Sequence, residues 1–193
     1  MQLNYAYSAS RGYLADPYKI LSIIDGITGA TLDYVYENRP EARTKHVLYW
    51  RAKHHFEGEN VGDLTYRYMT DDWGIQSHTV DVKYRYYYAR KRYMEPLLRF
   101  YTQTEADFYR YGLISGEAMP VNASADYRLA AFNAVTFGVK VGFPGFHNRE
   151  TMVKFEFYQQ YGNDHPSDAV GILRDYDLFP GVTALALAFT YAF

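Results

Sequence analysis

The chain has 193 residues, no cysteine and a formal net charge of −2 at neutral pH. That is single-domain length, it excludes disulfides and thiolate metal sites, and it argues against a general nucleic-acid binder. Aromatic residues reach 19 % and hydrophobic residues 48 %, yet mean hydropathy is −0.38, as when apolar and polar residues strictly alternate.

In chain order, residues 2–10 alternate Leu3, Tyr5 and Tyr7 against polar or small neighbours and predict a short strand. Residues 11–42 carry Gly12, Asp16-Pro17, Gly26, Gly29 and Arg39-Pro40 and read as a long loop, with one helical turn expected over 19–24. Strands follow over 43–56, 63–70 and 76–89, separated by turns at 57–62 and 71–75. After a turn at 90–96, a strand is expected over 97–109 and a loop over 110–123. The longest alternating run, 125–143, predicts a single strand in spite of Asn133. A turn at 144–150, a strand at 151–161 and a third long loop at 162–180 lead to the last strand, 182–193. There Thr183, Leu185, Leu187, Phe189, Tyr191 and Phe193 alternate with Ala184, Ala186, Ala188, Thr190 and Ala192.

Eight strands with short turns on one side and long loops on the other are the pattern of an antiparallel transmembrane β-barrel, forming one domain over 1–193. No run approaches the roughly 18–20 apolar residues of a membrane helix. Tyr66, Tyr68, Tyr84, Tyr86, Phe100 and Phe108 are expected on the apolar face as aromatic girdles. The opposite face predicts a lumen charge ladder of Arg51, Lys53, Arg67, Asp81, Lys83, Arg85 and Arg99, continuing through Glu105, Asp107, Asp126, Arg128, Lys140, Lys154 and Glu156. Lys45 and Asp63 lie on the same face. This set either selects anions or fills a narrow interior with paired charges. A terminal strand closing on Phe189, Tyr191 and Phe193 looks like the signal read by the machinery that inserts such barrels.

Gly12-Tyr-Leu-Ala-Asp-Pro-Tyr18, Glu37-Asn-Arg-Pro40, Tyr66–Ile75, Arg99–Gln103 with Ala106–Tyr109, and Ser124–Leu129 occur in that order. Together they resemble the blocks of the DUF3570 family of predicted outer-membrane β-barrel proteins. The resemblance implies the outer membrane of a Gram-negative bacterium, with outer-membrane lipids and the insertion machinery as partners. It also implies a place beside an envelope redox lipoprotein or cytochrome as an alternative role, and supplies no catalytic residue. Since members are typically longer and no leader precedes Met1, the chain is expected to be a mature short member or the C-terminal part of a larger barrel.

No Gly-rich phosphate loop or metal-protease motif is present, and Ser77, His78 and Asp81 do not share a face of their strand, so no enzyme, cofactor or metal site is expected. The roles left are a porin-like channel or membrane scaffold, a sheath or anchor for a redox partner, and a loop-based surface binder.

Overall fold

The computed structural model describes residues 1–145 and 149–191, and it is all-β and antiparallel in its main sheet. Strands β1 (Gln2–Arg11), β4 (Ala42–His55), β5 (Val61–Asp71), β6 (Gln76–Ala89), β7 (Arg92–Gln103), β9 (Phe132–Pro144), β10 (Glu150–Gly162) and β11 (Val182–Tyr191) form one eight-stranded sheet in that order. The strands β2 (Ile20–Ile24), β3 (Thr31–Tyr36) and β8 (Leu113–Ile114) form a small second sheet, with β2 central. Each pair of neighbours in the main sheet is antiparallel, and registers such as Trp50↔Tyr66 and Tyr66↔Val80 keep apolar residues on a common face across strands. β1 and β11 are edge strands, each with a single partner among the described residues, so no pairing closes the sheet into a ring.

The sheet is strongly curved. Tyr49 of β4 and Tyr158 of β10, five strand spacings apart, line one cavity of about 600 Å³. On a flat sheet these strands would stand ~24 Å apart, too far to wall a cavity of that size. The polar face is therefore the concave, inner one.

The two faces invert the burial of an ordinary soluble sheet. On the outer face Leu187 is 77 % and Phe137 60 % exposed. On the inner face the side chains of Asp63, Asp81 and Glu95 are only 11 %, 13 % and 13 % exposed. Outer-face residues also sort by height. Tyr5, Tyr7, Tyr66, Tyr68 and Phe100 lie toward one end, and Tyr84, Tyr86, Phe189 and Tyr191 toward the other. Between them run Leu64, Val82, Leu98, Val139 and Leu187.

The buried core sits at the long-loop end. Met69 of β5 packs with Trp73, Ile75, Ala106, Phe108 and Leu129, all from connections that fold against the inner side of the sheet. A second cluster joins Leu21, Leu113 and Ala123 beneath the small sheet. At the opposite end the connections are short: a 3-10 turn at Glu57–Glu59 and a turn at Arg90 and Lys91, while β9 ends at Pro144 and β10 begins at Glu150.

Several sequence expectations differ from this fold; among them, the turn expected over 90–96 is mostly strand, since β7 begins at Arg92. The helical turn expected over 19–24 is strand β2, which pairs with the next strand, β3, and with β8 far along the chain. The strand expected over 97–109 ends at Gln103, whose amide donates to the carbonyls of Arg128 (3.1 Å) and Ala130 (2.7 Å) and so ties the chain into the cap. The run 125–143 is two elements. Asp126 caps a 3-10 turn at Tyr127–Leu129 by accepting from the Arg128 amide at 3.1 Å, and β9 starts only at Phe132. Phe108, expected in a girdle, is buried edge-on against Trp73, with ring centres 5.1 Å apart.

Candidate functional site

The inner face carries a belt of cross-strand ion pairs. Its members come from strands that present alternate residues inward, so opposite charges come within reach of one another, directly across strands or diagonally. Asp81 of β6 stands opposite Arg99 of β7, with Arg99 Nε 2.5 Å from Asp81 Oδ1, while the Thr65 hydroxyl donates to Asp81 Oδ2 at 3.2 Å. Asp63 takes Arg51 as a fork and Lys53 Nζ at 3.6 Å. Glu95 takes Arg85 Nε at 2.7 Å and, directly opposite on β9, Lys140 Nζ at 2.6 Å. Lys154 and Glu156 pair along β10 at 2.8 Å. Lys83 and Arg67 share this face and have no carboxylate within 4.0 Å among the described residues.

Tyr93 adds a rigid strut. Its ring lies across Gly142 of β9, where a Cβ would come within 2.2 Å of the ring. Its hydroxyl donates to Glu150 at 3.0 Å, and the Arg85 guanidinium stacks over its ring at 4.4 Å from the centroid.

A second cluster locks the loop end. Arg39, in the β3–β4 connection, donates through Nη2 to Glu37 at 2.9 Å and to Asp126 at 2.8 Å. Glu37 also accepts from the Asp16 amide at 2.5 Å and from the Ser124 hydroxyl. Arg128 grips Asp126 through Nε at 2.9 Å and through Nη2, and approaches Asp16 at 3.6 Å. Burial raises the Asp126 pKa, but these two guanidiniums and the Arg128 amide outweigh it and bring the carboxyl down to about 2. Nearby, Arg43 pairs with Asp71 and stacks over Trp73 at 4.3 Å, and the Trp73 indole N–H donates to the Ala42 carbonyl at 2.8 Å. Every buried carboxylate here is matched by a donor, so the cluster is a structural clamp that joins three connections.

The expected ladder thus divides in two. Arg51, Lys53, Arg67, Asp81, Lys83, Arg85, Arg99, Lys140, Lys154 and Glu156 share the inner face, with Asp63 and Lys45. Glu105, Asp107, Asp126 and Arg128 do not. They follow the end of β7 or precede β9, where the chain has left extended geometry for the cap. Phe189 and Tyr191 lie on the outer face of β11, and Phe193 lies outside the described residues.

Sequence reasoning missed Glu95, because Pro96 suggested a turn. Pro96 instead sits in the β7–β9 ladder opposite Val139, and the alternation Tyr93, Glu95, Leu97, Arg99 was the available signal. It also missed the clamp pairing of Glu37 with Arg39, and the approach of His165 to two acidic residues of the last long loop. There Asp164, His165 and Asp177 bring ligand atoms within 4.8 Å of one another, and the His165 ring holds the Asp164 carboxyl below its ordinary range.

A family model described as "Protein of unknown function (DUF3570)" matches residues 1–193. No curated protein and no solved structure matches the chain. The sequence blocks set out above meet in the clamp and the cap: Asp16 with Glu37, Arg39 with Asp126, Trp73 with Phe108, and Gln103 with Arg128.

Proposed function

The chain belongs to the DUF3570 family, and from its geometry we propose that it forms the wall of an outer-membrane β-barrel of a Gram-negative bacterium, acting as a porin-like channel or membrane scaffold. In this reading the outer face meets lipid and the inner face lines a wet lumen. The observation that carries it is the inverted burial: Leu187 and Phe137 stand open while Asp63, Asp81 and Glu95 are sheltered. In water such an outer face would cost ~25 cal/mol for each Å² of apolar surface left wet. Strands of 10 to 14 residues meet or exceed the roughly 9–11 a tilted membrane strand needs, and rings flanking an aliphatic middle fit the two interfaces. The short turns then belong on the periplasmic side and the capped loops outside.

Among the described residues β1 and β11 each pair with a strand on one side only, and lipid does not tolerate an open sheet edge. The proposal therefore requires a partner strand at each edge, supplied either by the other edge or by further strands.

The test uses the natural absence of cysteine. A nitroxide attached at Leu187→Cys or at Ala186→Cys, in chain refolded into lipid vesicles, reports which side each residue faces. The expected result is oxygen accessibility at 187 and access to a water-soluble nickel chelate at 186. Equal chelate access at both sites overturns the membrane reading, and a sealed bilayer without conductance leaves the scaffold role and removes the channel.

A second role, loop-based binding, draws on Leu32, Tyr34 and Tyr36, which project from edge strand β3 with 58 %, 59 % and 76 % of their surface exposed.

A further inference from the structure

We infer that the inner-face cavity lined by Lys83, Arg51 and Arg85 is an anion site that takes a small tetrahedral oxyanion such as inorganic phosphate. The inference deepens the lumen reading and rests on it for the site's access. The cavity has a volume of about 570 Å³ and is walled by β4, β5, β6, β7 and β9.

Its charge is unbalanced by construction. Five Lys and Arg side chains line it against three carboxylates. Two of those carboxylates are each divided between two cations: Asp63 between Arg51 and Lys53, and Glu95 between Arg85 and Lys140. A single carboxylate neutralises only one of its two cations, so each cluster keeps a residual positive charge. The third carboxylate, Glu59, stands on the exposed turn at the rim, and His55 contributes an imidazole.

Lys83 lies between the two clusters, opposite Asp63 on β5 and Leu97 on β7. Its ammonium has no carboxylate within 4.0 Å among the described residues, so an arriving anion breaks no ion pair to reach it. Arg51 spends Nε and Nη2 on Asp63, which fixes the guanidinium plane and leaves Nη1 for a guest. Ammonium and guanidinium donors fixed around a half-sheltered space suit a tetrahedral oxyanion, whose oxygens accept from several directions at once. Lys83, together with Glu95 and Lys140, also lines the neighbouring cavity that holds Arg99 and Lys154, so two positive compartments adjoin along the inner face.

The test is binding of inorganic phosphate to the full chain folded in detergent, followed by ³¹P line broadening and by calorimetry at low and moderate salt. The wild-type chain is expected to bind phosphate, and Lys83→Gln to weaken binding about tenfold, the value of one charge-assisted bond. Lys45→Gln, which removes a cation of the same face outside this cavity, is expected to leave binding unchanged. Equal affinity in wild type and Lys83→Gln, equal weakening in both variants, or no binding by folded wild type each overturns the site. Because binding is read in detergent, that outcome is separate from the vesicle labelling that tests the lumen reading. In bilayers, a Lys83→Gln chain that conducts with the wild-type preference for chloride over potassium also overturns it.

Discussion

Arg39 reaches across 87 positions of sequence to place its Nη2 2.8 Å from Asp126 Oδ2, and the two side chains retain only 10 % and 1 % of their exposure. This pair ties the connection between β3 and β4 to the connection between β7 and β9, so the loop end behaves as one unit. Asp126→Asn keeps the shape and removes the charge, leaving Arg128 and Arg39 to share a neutral amide. The expected cost is about 2–4 kcal/mol, read from guanidine unfolding in detergent, with new tryptic cleavage appearing in the loops around Arg39 and Arg110.

The same carboxyl sets an acid limit. Its pKa in the folded chain, about 2, lies below its ordinary value of 3.8. The stabilisation is thus fully present above about pH 4 and is lost as pH falls through about 2. Trp73 reports the cap and Trp50 the outer face, so a Trp50→Phe background isolates the cap signal. Its fluorescence is expected to hold steady down to pH 4 and to shift between pH 4 and 2, and Asp126→Asn is expected to flatten that transition.

Gly74 turns β5 into β6 with φ at +86°, and a Cβ there would lie 2.2 Å from Asp107 Oδ1. Gly74→Ala meets both backbone strain and a clash, and Asp107 is held in place because its amide donates to the Trp73 carbonyl at 2.9 Å. The expected loss is about 2 kcal/mol or more, with weakened Trp73–Phe108 packing visible in near-ultraviolet circular dichroism.

Under the membrane reading, Leu187→Arg puts a charge among acyl chains and Ala186→Arg puts one in the lumen. The first is expected to lower the stability of the vesicle-folded chain by about 2–4 kcal/mol, and the second to be tolerated with less than half that loss. Urea titrations of chain folded in vesicles compare the two directly, and equal costs would argue against a lipid-facing Leu187.

Much of the main sheet was legible locally. Leu185 and Leu187 against Ala184 and Ala186, or Val80 and Val82 against Asp81 and Lys83, declare two faces because a strand turns each successive side chain over. The same rule failed at 125–131, where Tyr127 and Leu129 alternate with polar neighbours although they sit in a 3-10 turn under the cap. Local alternation cannot distinguish a strand from a short irregular segment whose apolar residues happen to face one way.

Order along the chain by itself determined the strand-and-turn rhythm, the short-turn and long-loop ends, and which residues of each strand travel together. Only the tertiary structure decided where β7 stops, that Glu95 bridges Arg85 and Lys140, and that Glu37, Arg39, Ser124 and Asp126 meet in a buried clamp. The reason is physical. Face identity follows from the backbone geometry of neighbouring residues, whereas these pairings depend on strand order, sheet curvature and the folding-in of connections, which bring together groups that share no local pattern.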